Sequence, residues 1–164
     1  VDLPGFDIRY SEEGDLSFME GWFAEPHVCD GFPFTYEERE FPLKNWIGFS
    51  KYKASLTGMV EGQPVAVGTL FLMPYRKVAH HSSFYLIVDA KWRRKGIGTS
   101  MVKNLLHLAQ VRFRLESVHV EIFLPNPLVS VVKKVGFVPF AEQEGAIKIE
   151  GKLASRLLLE KFFV

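Results

Sequence analysis

The stretch that decides the fold reads Val88-Asp-Ala-Lys-Trp-Arg-Arg-Lys-Gly-Ile-Gly-Thr-Ser100. It leaves an apolar run, Leu86-Ile-Val88, crosses a basic turn with two glycines, and opens a helix. The helix is read from Ile97, Met101, Leu105 and Leu108, at three- and four-residue steps, with Val102, Leu106 and Ala109 widening the stripe. Strand, glycine turn and helix together make an anion site. First-turn N–H groups have no intrahelical partner, and the helix dipole adds positive potential where they point. Gly96 and Gly98 let a ligand come close to the backbone, while Arg93, Arg94 and Lys95 add formal charge. A dinucleotide fingerprint would need a third glycine where Met101 stands. A P-loop would need Gly-Lys-Ser/Thr after a longer spacer, and the chain has none.

Upstream of this turn, Phe6–Tyr10 reads as a strand, and Ser11 followed by early acids predicts a capped helix over roughly 12–24. A Pro- and Gly-bearing loop covers 26–34. Thr35 can cap a second helix through Glu37–Glu40, interrupted by Pro42. Tyr52–Val60 and Pro64–Met73 form a hairpin around Glu61-Gly62-Gln63, with Gly68 as an expected bulge, and another strand covers about 79–89. Downstream, Ser117–Leu124 alternates Val118, Val120, Ile122 and Leu124 against His119, Glu121 and Phe123. Pro125-Asn-Pro127 stops that strand and starts a short helix, which Gly136 closes. Phe137–Phe140 and Ser155–Phe163 predict a terminal hairpin with a long connection. The order β-α-α-β-β-β-α-β-α-β-β indicates a mixed α/β (α+β) architecture with helices on a central sheet.

Composition narrows the class. A length of 164 residues predicts one domain, 1–164. With 48% apolar residues and 15 Phe, 5 Tyr and 3 Trp, disorder is excluded. No apolar run approaches the roughly 20 residues of a membrane span, and the N-terminus has no signal-like pattern. Lone Cys29 suits a reducing compartment, so a cytoplasmic location without membrane association is expected. The net charge of +1 divides unevenly. Residues 1–40 hold eleven acids and two bases, giving −9; residues 41–164 hold eight acids and eighteen bases, giving +10. Two parts of one protein would then meet ligands of opposite charge. The basic cluster is compact, sits on one turn and opposes an acidic region, so nucleic acid is not an expected partner. No His, Cys, Asp and Glu set has metal-ligand spacing, and Cys29 has no identifiable base beside it.

Arg93-Arg-Lys-Gly96-Ile-Gly98 resembles the Arg-x-x-Gly-x-Gly pattern of the GNAT acetyltransferase superfamily, with Val88 eight residues before Gly96 and an amphipathic helix after the turn. Glu121-Ile122, then Asn126, then Lys134-Val-Gly-Phe137 resembles that superfamily's second stretch. The motifs cover about 84–140, whereas over 1–50 only the layout matches. The resemblance implies a mostly antiparallel central sheet of six to seven strands, helices on both faces, splayed between the fourth and fifth strands. It implies acetyl-CoA as cosubstrate, with no metal. Arg93, Arg94, Lys95, Gly96, Ile97, Gly98, Thr99 and the Ser100 region would cradle its pyrophosphate. Leu86, Ile87 and Val88 would hold the pantetheine arm along a strand, Asn126 would sit near pantetheine or thioester, and Ser130 and Lys133 would line the far end.

The implied reaction is direct attack of a primary amine on the thioester in a ternary complex. The acceptor would be a small molecule, a protein N-terminus or a lysine, with a cationic acceptor suggested by the acidic N-terminal third. The protein would act as monomer or homodimer. Val120-Glu121-Ile122 with Asn126 resembles the Leu-Glu-Val…Asn of ribosomal-protein N-terminal acetyltransferases, making Glu121 the candidate base. On an alternating strand it faces away from Val120 and Ile122, and His119 shares its face. The family's usual acid, a Tyr after the Asn, is missing: Val132 and Lys133 occupy the counted positions. Tyr85 is the substitute acid to consider, or water. The missing Tyr also leaves a non-catalytic acyl-CoA-binding or sensory domain as the alternative.

Overall fold

Each strand's alternation gives the sheet two faces, and different helices cover them. The computed structural model describes residues 3–163. Eleven elements follow one another: β1 (Phe6–Tyr10), α1 (Leu16–Phe23), α2 (Glu40–Gly48), β2 (Ser55–Val60), β3 (Gln63–Leu72), β4 (His81–Val88), α3 (Ile97–His107), β5 (Ser117–Phe123), α4 (Leu128–Lys134), β6 (Val138–Ile149) and β7 (Lys152–Phe162). The seven strands form one sheet in the order β1-β2-β3-β4-β5-β7-β6. Every pairing is antiparallel except β4 with β5. The expected element order and sheet are both present. Among the described residues no helix is long and apolar enough to cross a membrane.

On one face α3 and α4 pack Ile97, Met101, Val102, Leu105 and Val132 against Leu70, Phe84, Val118, Val120 and Ile122. On the other, α1 and α2 bury Met19, Trp22, Phe23, Leu43 and Trp46 over Val67 and Ile87. That second face is fastened by polar groups as well. Asp15, at the start of α1, accepts from Arg9 twice at 2.8 Å and from the Thr57 hydroxyl at 2.7 Å. The hydroxyls of Thr57, Ser11, Ser55 and Thr69 continue the ladder across β2 and β3 at 2.6–2.9 Å.

Four local expectations change. Ser11 does not cap the first helix, because its side chain is buried in the hydroxyl ladder; the Asp15 carboxylate instead accepts from the Glu12 N–H at 3.0 Å. The strand expected from Tyr52 begins at Ser55, after a 3-10 turn over Phe49–Tyr52 and left-handed Lys53. The bulge lies at Gly58/Met59, not at Gly68. Gly68 is there for proximity: a Cβ on it would stand 2.7 Å from Leu105 Cδ1, so any side chain here would force Leu105 to move. Finally, the terminal hairpin has long strands and a tight turn, Glu150-Gly151, both with positive φ (49° and 80°).

Candidate active site

The site begins where β4 and β5 part. Their pairing is limited to His81–Ser83 against Ser117–His119. Beyond it, β5 turns to β7 alone, and the β5 side of β4 is open from Phe84 onward. Which groups line the opening follows from two hydrogen bonds. The Asp89 N–H donates to Val65 on the β3 side at 2.8 Å, and the His80 carbonyl accepts from Glu116 on the β5 side at 2.7 Å. Strand alternation then turns the backbone N–H and C=O of Leu86 and Val88 into the gap, and those of Ile87 toward β3. The Ile87 side chain packs under α1 and α2. The Val88 carbonyl accepts from Arg93 Nε at 3.3 Å.

The basic turn leads directly from this edge into α3. Arg94 and Gly96 take left-handed φ values of 61° and 83°, which reverse the chain and present the N-terminus of α3 to solvent. The N–H groups of Ile97, Gly98 and Thr99 are those of a first helical turn, without intrahelical partners; the Ser100 N–H returns to the Gly96 carbonyl at 3.1 Å. Arg93, Arg94, Lys95 and Gly96 are all exposed. A Cβ on Gly98 would meet only Leu86 Cδ2, at 4.0 Å, so the start of α3 is uncrowded on the side that faces β4. Asn126 lies across the gap. Its Oδ1 accepts from the Leu128 N–H at 2.9 Å, fixing the start of α4, and its Nδ2 lies 3.3 Å from where a Gly31 Cβ would be. Ser130 returns its hydroxyl to the Pro127 carbonyl at 3.0 Å, and Lys133 is exposed beside it. Val132, one of the two residues counted for a tyrosine, is apolar and wholly buried and offers no acid.

Opposite this backbone frame, side chains gather on the face covered by α1 and α2. Tyr85, His119 and Glu121 line one cavity of roughly 370 Å³, with Arg156 and Leu158 from β7 and Phe140 from β6. Tyr85 sits against Phe32, Trp46 and Phe71, with ring centroids 5.0–5.5 Å away. Burial, and then the nearby Glu121 charge, push its hydroxyl up to about 12. Burial, and then His81 with its ring 5.2 Å away, lower the His119 pKa, so its imidazole is neutral near pH 7. Glu121 accepts from Arg156 Nη1 at 2.6 Å, and Arg156 Nη2 donates to Gln143 at 2.7 Å.

Nothing in the local sequence singles out Arg156 or Gln143. The only signal was one cation interrupting Ser155-Arg-Leu-Leu-Leu159, and its meaning depends on a strand register that local pattern does not give. A second cavity, of roughly 630 Å³, lies between the α1–α2 connection and the tip of the β6–β7 hairpin. Glu25, Asp30 and Glu37 line it. Other acids of the N-terminal third serve structure: Asp15 pairs with Arg9, Glu38 accepts from Thr35, and Glu40 pairs with Lys44. Cys29 lies at this wall with its thiol pushed up, first by burial and then by Asp30, so it stays protonated and is a poor nucleophile.

An anion cradle, an open strand edge and a carboxylate beside a phenol, all around one gap, form the layout of an acyl-transfer enzyme whose donor is long and carries phosphates. The model of the Acetyltransferase (GNAT) family matches residues 19–137, and the chain belongs to that family. It is an acyl-CoA-dependent N-acyltransferase. It is 23% identical over 132 residues to the L-amino acid N-acetyltransferase AaaT of Escherichia coli (strain K12), covering 79% of this chain and 81% of that protein. The fold is also that of ribosomal-protein-alanine N-acetyltransferase from Brucella melitensis, with TM-score 0.78, 20% identity, and 96% and 99% of the two chains covered. A phosphinothricin acetyltransferase from Sinorhizobium meliloti, solved in complex with acetyl-CoA, superposes with TM-score 0.78, 15% identity, and 96% and 88% covered.

Proposed function

We propose that the protein transfers the acetyl group of acetyl-CoA to a primary amine by direct attack in a ternary complex. The observation that carries this reading is the continuity of the Leu86–Val88 edge with the first turn of α3, uninterrupted by any side chain at Gly98. The residues fit the donor. N–H groups of Ile97, Gly98 and Thr99, with Arg93, Arg94 and Lys95 around them, suit a pyrophosphate. Leu86 and Val88 offer strand-type hydrogen bonds to an amide-bearing arm, and Asn126, Ser130 and Lys133 border the opposite side. The solved complex of the Sinorhizobium meliloti relative with acetyl-CoA supports the same donor here.

The chemistry begins with the acceptor. An ammonium must lose its proton before its nitrogen can attack, and Glu121 is the base within the cavity, directly or through water. The nitrogen lone pair forms the C–N bond, and the carbonyl oxygen takes up charge. A backbone N–H at the open edge near Val88 stabilises that oxygen. The C–S bond then breaks, sulfur leaves with its electron pair, and the second proton of the nitrogen passes to that thiolate or to water. A thiol has an ordinary pKa of about 8.5, so the thiolate is a tolerable leaving group. Tyr85, with its proton held up to about 12, donates a hydrogen bond better than it gives up a proton. The acceptor is a free amine or a protein amine, classes matched by the names of an L-amino acid N-acetyltransferase and a ribosomal-protein-alanine N-acetyltransferase among the relatives.

The test is acetyl-CoA binding by calorimetry, together with thioester consumption over a panel of amines. Gly96→Val puts a branched side chain on a left-handed residue at the cradle and is expected to weaken acetyl-CoA binding at least ~10-fold. Undiminished affinity would overturn the cradle. Tight binding without turnover on any amine would instead favour the sensory domain, which the buried Val132 in place of an acid makes the specific rival.

A further inference from the structure

We infer that the acceptor is a free α-amino acid with an apolar side chain, its carboxylate held by Arg156 while its amine faces Glu121. This rests on the acetyltransferase reading above and decides between its two acceptor classes.

The cavity beside the gap has three chemically distinct parts. Glu121 and Tyr85 are its hydrogen-bonding end nearest β4, where the strand edge opens. Arg156 stands next to them, and Phe140 and Leu158 supply apolar wall. The roughly 370 Å³ of space suits a group of amino-acid size, so the choice between a free amino acid and a chain terminus rests on charge.

Charge narrows the choice. Glu121 is already neutralised by Arg156, and His119 adds no charge near neutral pH. An ammonium arriving at Glu121 is repelled by the guanidinium and competes with it for the same carboxylate. A purely cationic acceptor would therefore leave Arg156 partly buried without its counter-charge, which is costly. An acceptor that brings its own carboxylate replaces what Arg156 loses. Arg156 has five N–H donors; one is used on Glu121 and one on Gln143, so a carboxylate can share the guanidinium without breaking the Gln143 anchor. Gln143 holds Nη2 from the far side, which keeps the fork in place while Nη1 exchanges partners.

The balance of the step also favours this acceptor. The zwitterion enters neutral and its nitrogen gives up two protons, one to Glu121 before attack and one to the departing thiolate, as the C–N bond forms and the C–S bond breaks. The products are an N-acetyl amino acid, the thiol and one proton. The product has lost its ammonium and with it the attraction to Glu121, which favours its release. A protein N-terminus has an amide where this carboxylate would be and gains nothing from Arg156.

The experiment follows thiol release from acetyl-CoA with leucine, leucinamide, 3-methylbutylamine and a leucine-initiated tripeptide, using the wild-type protein, Arg156→Lys and Arg156→Gln. The wild type is expected to prefer leucine over leucinamide in kcat/KM by roughly 10- to 100-fold, the range of a charged hydrogen-bonded contact. Arg156→Gln should bring that ratio close to one, and Arg156→Lys should retain part of it. Leucinamide, the amine or the tripeptide turning over as well as leucine in the wild type overturns the inference but keeps the acetyltransferase reading. So does a leucine-to-leucinamide ratio unmoved by Arg156→Gln. Turnover of none of the four, with acetyl-CoA bound normally, overturns both.

Discussion

The two sides of the β4–β5 gap are built from different materials. The side proposed for the donor is backbone: the free edge of β4 and the first-turn amides of α3, fixed by a core of α3 packed over Gly68 and Phe84. The side proposed for the acceptor is side chains drawn from four strands, Tyr85, Glu121, Phe140 and Arg156, of which Tyr85 packs against the aromatic layer of α1 and α2. Backbone presents the same N–H and C=O groups whatever the side chains are, so a donor common to many reactions can be held by a short motif. Side chains carry the selectivity, and they can change without disturbing the donor frame. Charge follows the same division: exposed cations surround the turn before α3, while the cavity at Glu121 holds one compensated pair.

The largest expected effect separates chemistry from donor binding. Glu121→Gln should lower kcat/KM for the acceptor by at least about 10²-fold, the usual minimum for losing a positioned base. Acetyl-CoA affinity should move little, because the variant touches only the acceptor side. Raising the pH toward 9–10 should narrow the deficit, since more of the amine is then already deprotonated. An unchanged kcat/KM across pH 6–9 would remove Glu121 from the mechanism and blur the division between the two sides.

The same division explains what could be read from sequence. The donor side lies in one continuous stretch, Leu86 to Ser100, and its chemistry depends on glycines, a helix start and strand alternation, all of them local. Glu121 was legible because a strand with Val120 and Ile122 inward must turn the residue between them outward. Arg156 is not legible, because its meeting with Glu121 depends on β7 inserting between β5 and β6 and on the β5–β7 register, which no local pattern gives. Ser11 failed for a related reason. Its role is decided by Thr57 and Ser55, more than forty residues away, and a buried hydroxyl ladder outweighed a local cap. Gly68 shows the same limit, since only the packed position of Leu105 distinguishes a close approach from a bulge.

A second experiment asks whether the acceptor layer is fastened separately. Asp15→Ala removes the anchor joining α1 to β1 and β2 and should cost about 2–3 kcal/mol at pH 7, the scale of charged hydrogen bonds with Arg9 still able to reach water. Acceptor KM should rise more than acetyl-CoA KM. Burial alone would raise the Asp15 pKa, but Arg9, the Glu12 N–H and Thr57 together outweigh it and hold the carboxyl below its ordinary range. A folded value below the unfolded one means the contribution is complete above about pH 4 and fades as pH falls through the folded value. Urea unfolding should therefore show the gap between wild type and variant closing in acid. A gap that instead widened in acid would show that Asp15 is not held as a carboxylate.

The smallest effect is expected at Tyr85, and it sharpens the comparison where the two sides meet. A phenol pushed up to about 12, first by burial and then by Glu121, keeps its proton throughout the working range. Tyr85→Phe should thus cost less than about 10-fold in kcat, the loss of one hydrogen bond and not of a proton donor. The alkaline side of the pH profile should keep its shape up to pH 10 in both proteins, because no phenolate forms there to remove activity. An alkaline limb in the wild type that vanished in Tyr85→Phe would make Tyr85 the acid after all. The thiolate would then depart with help from the acceptor side, and selectivity and leaving-group chemistry would share one residue.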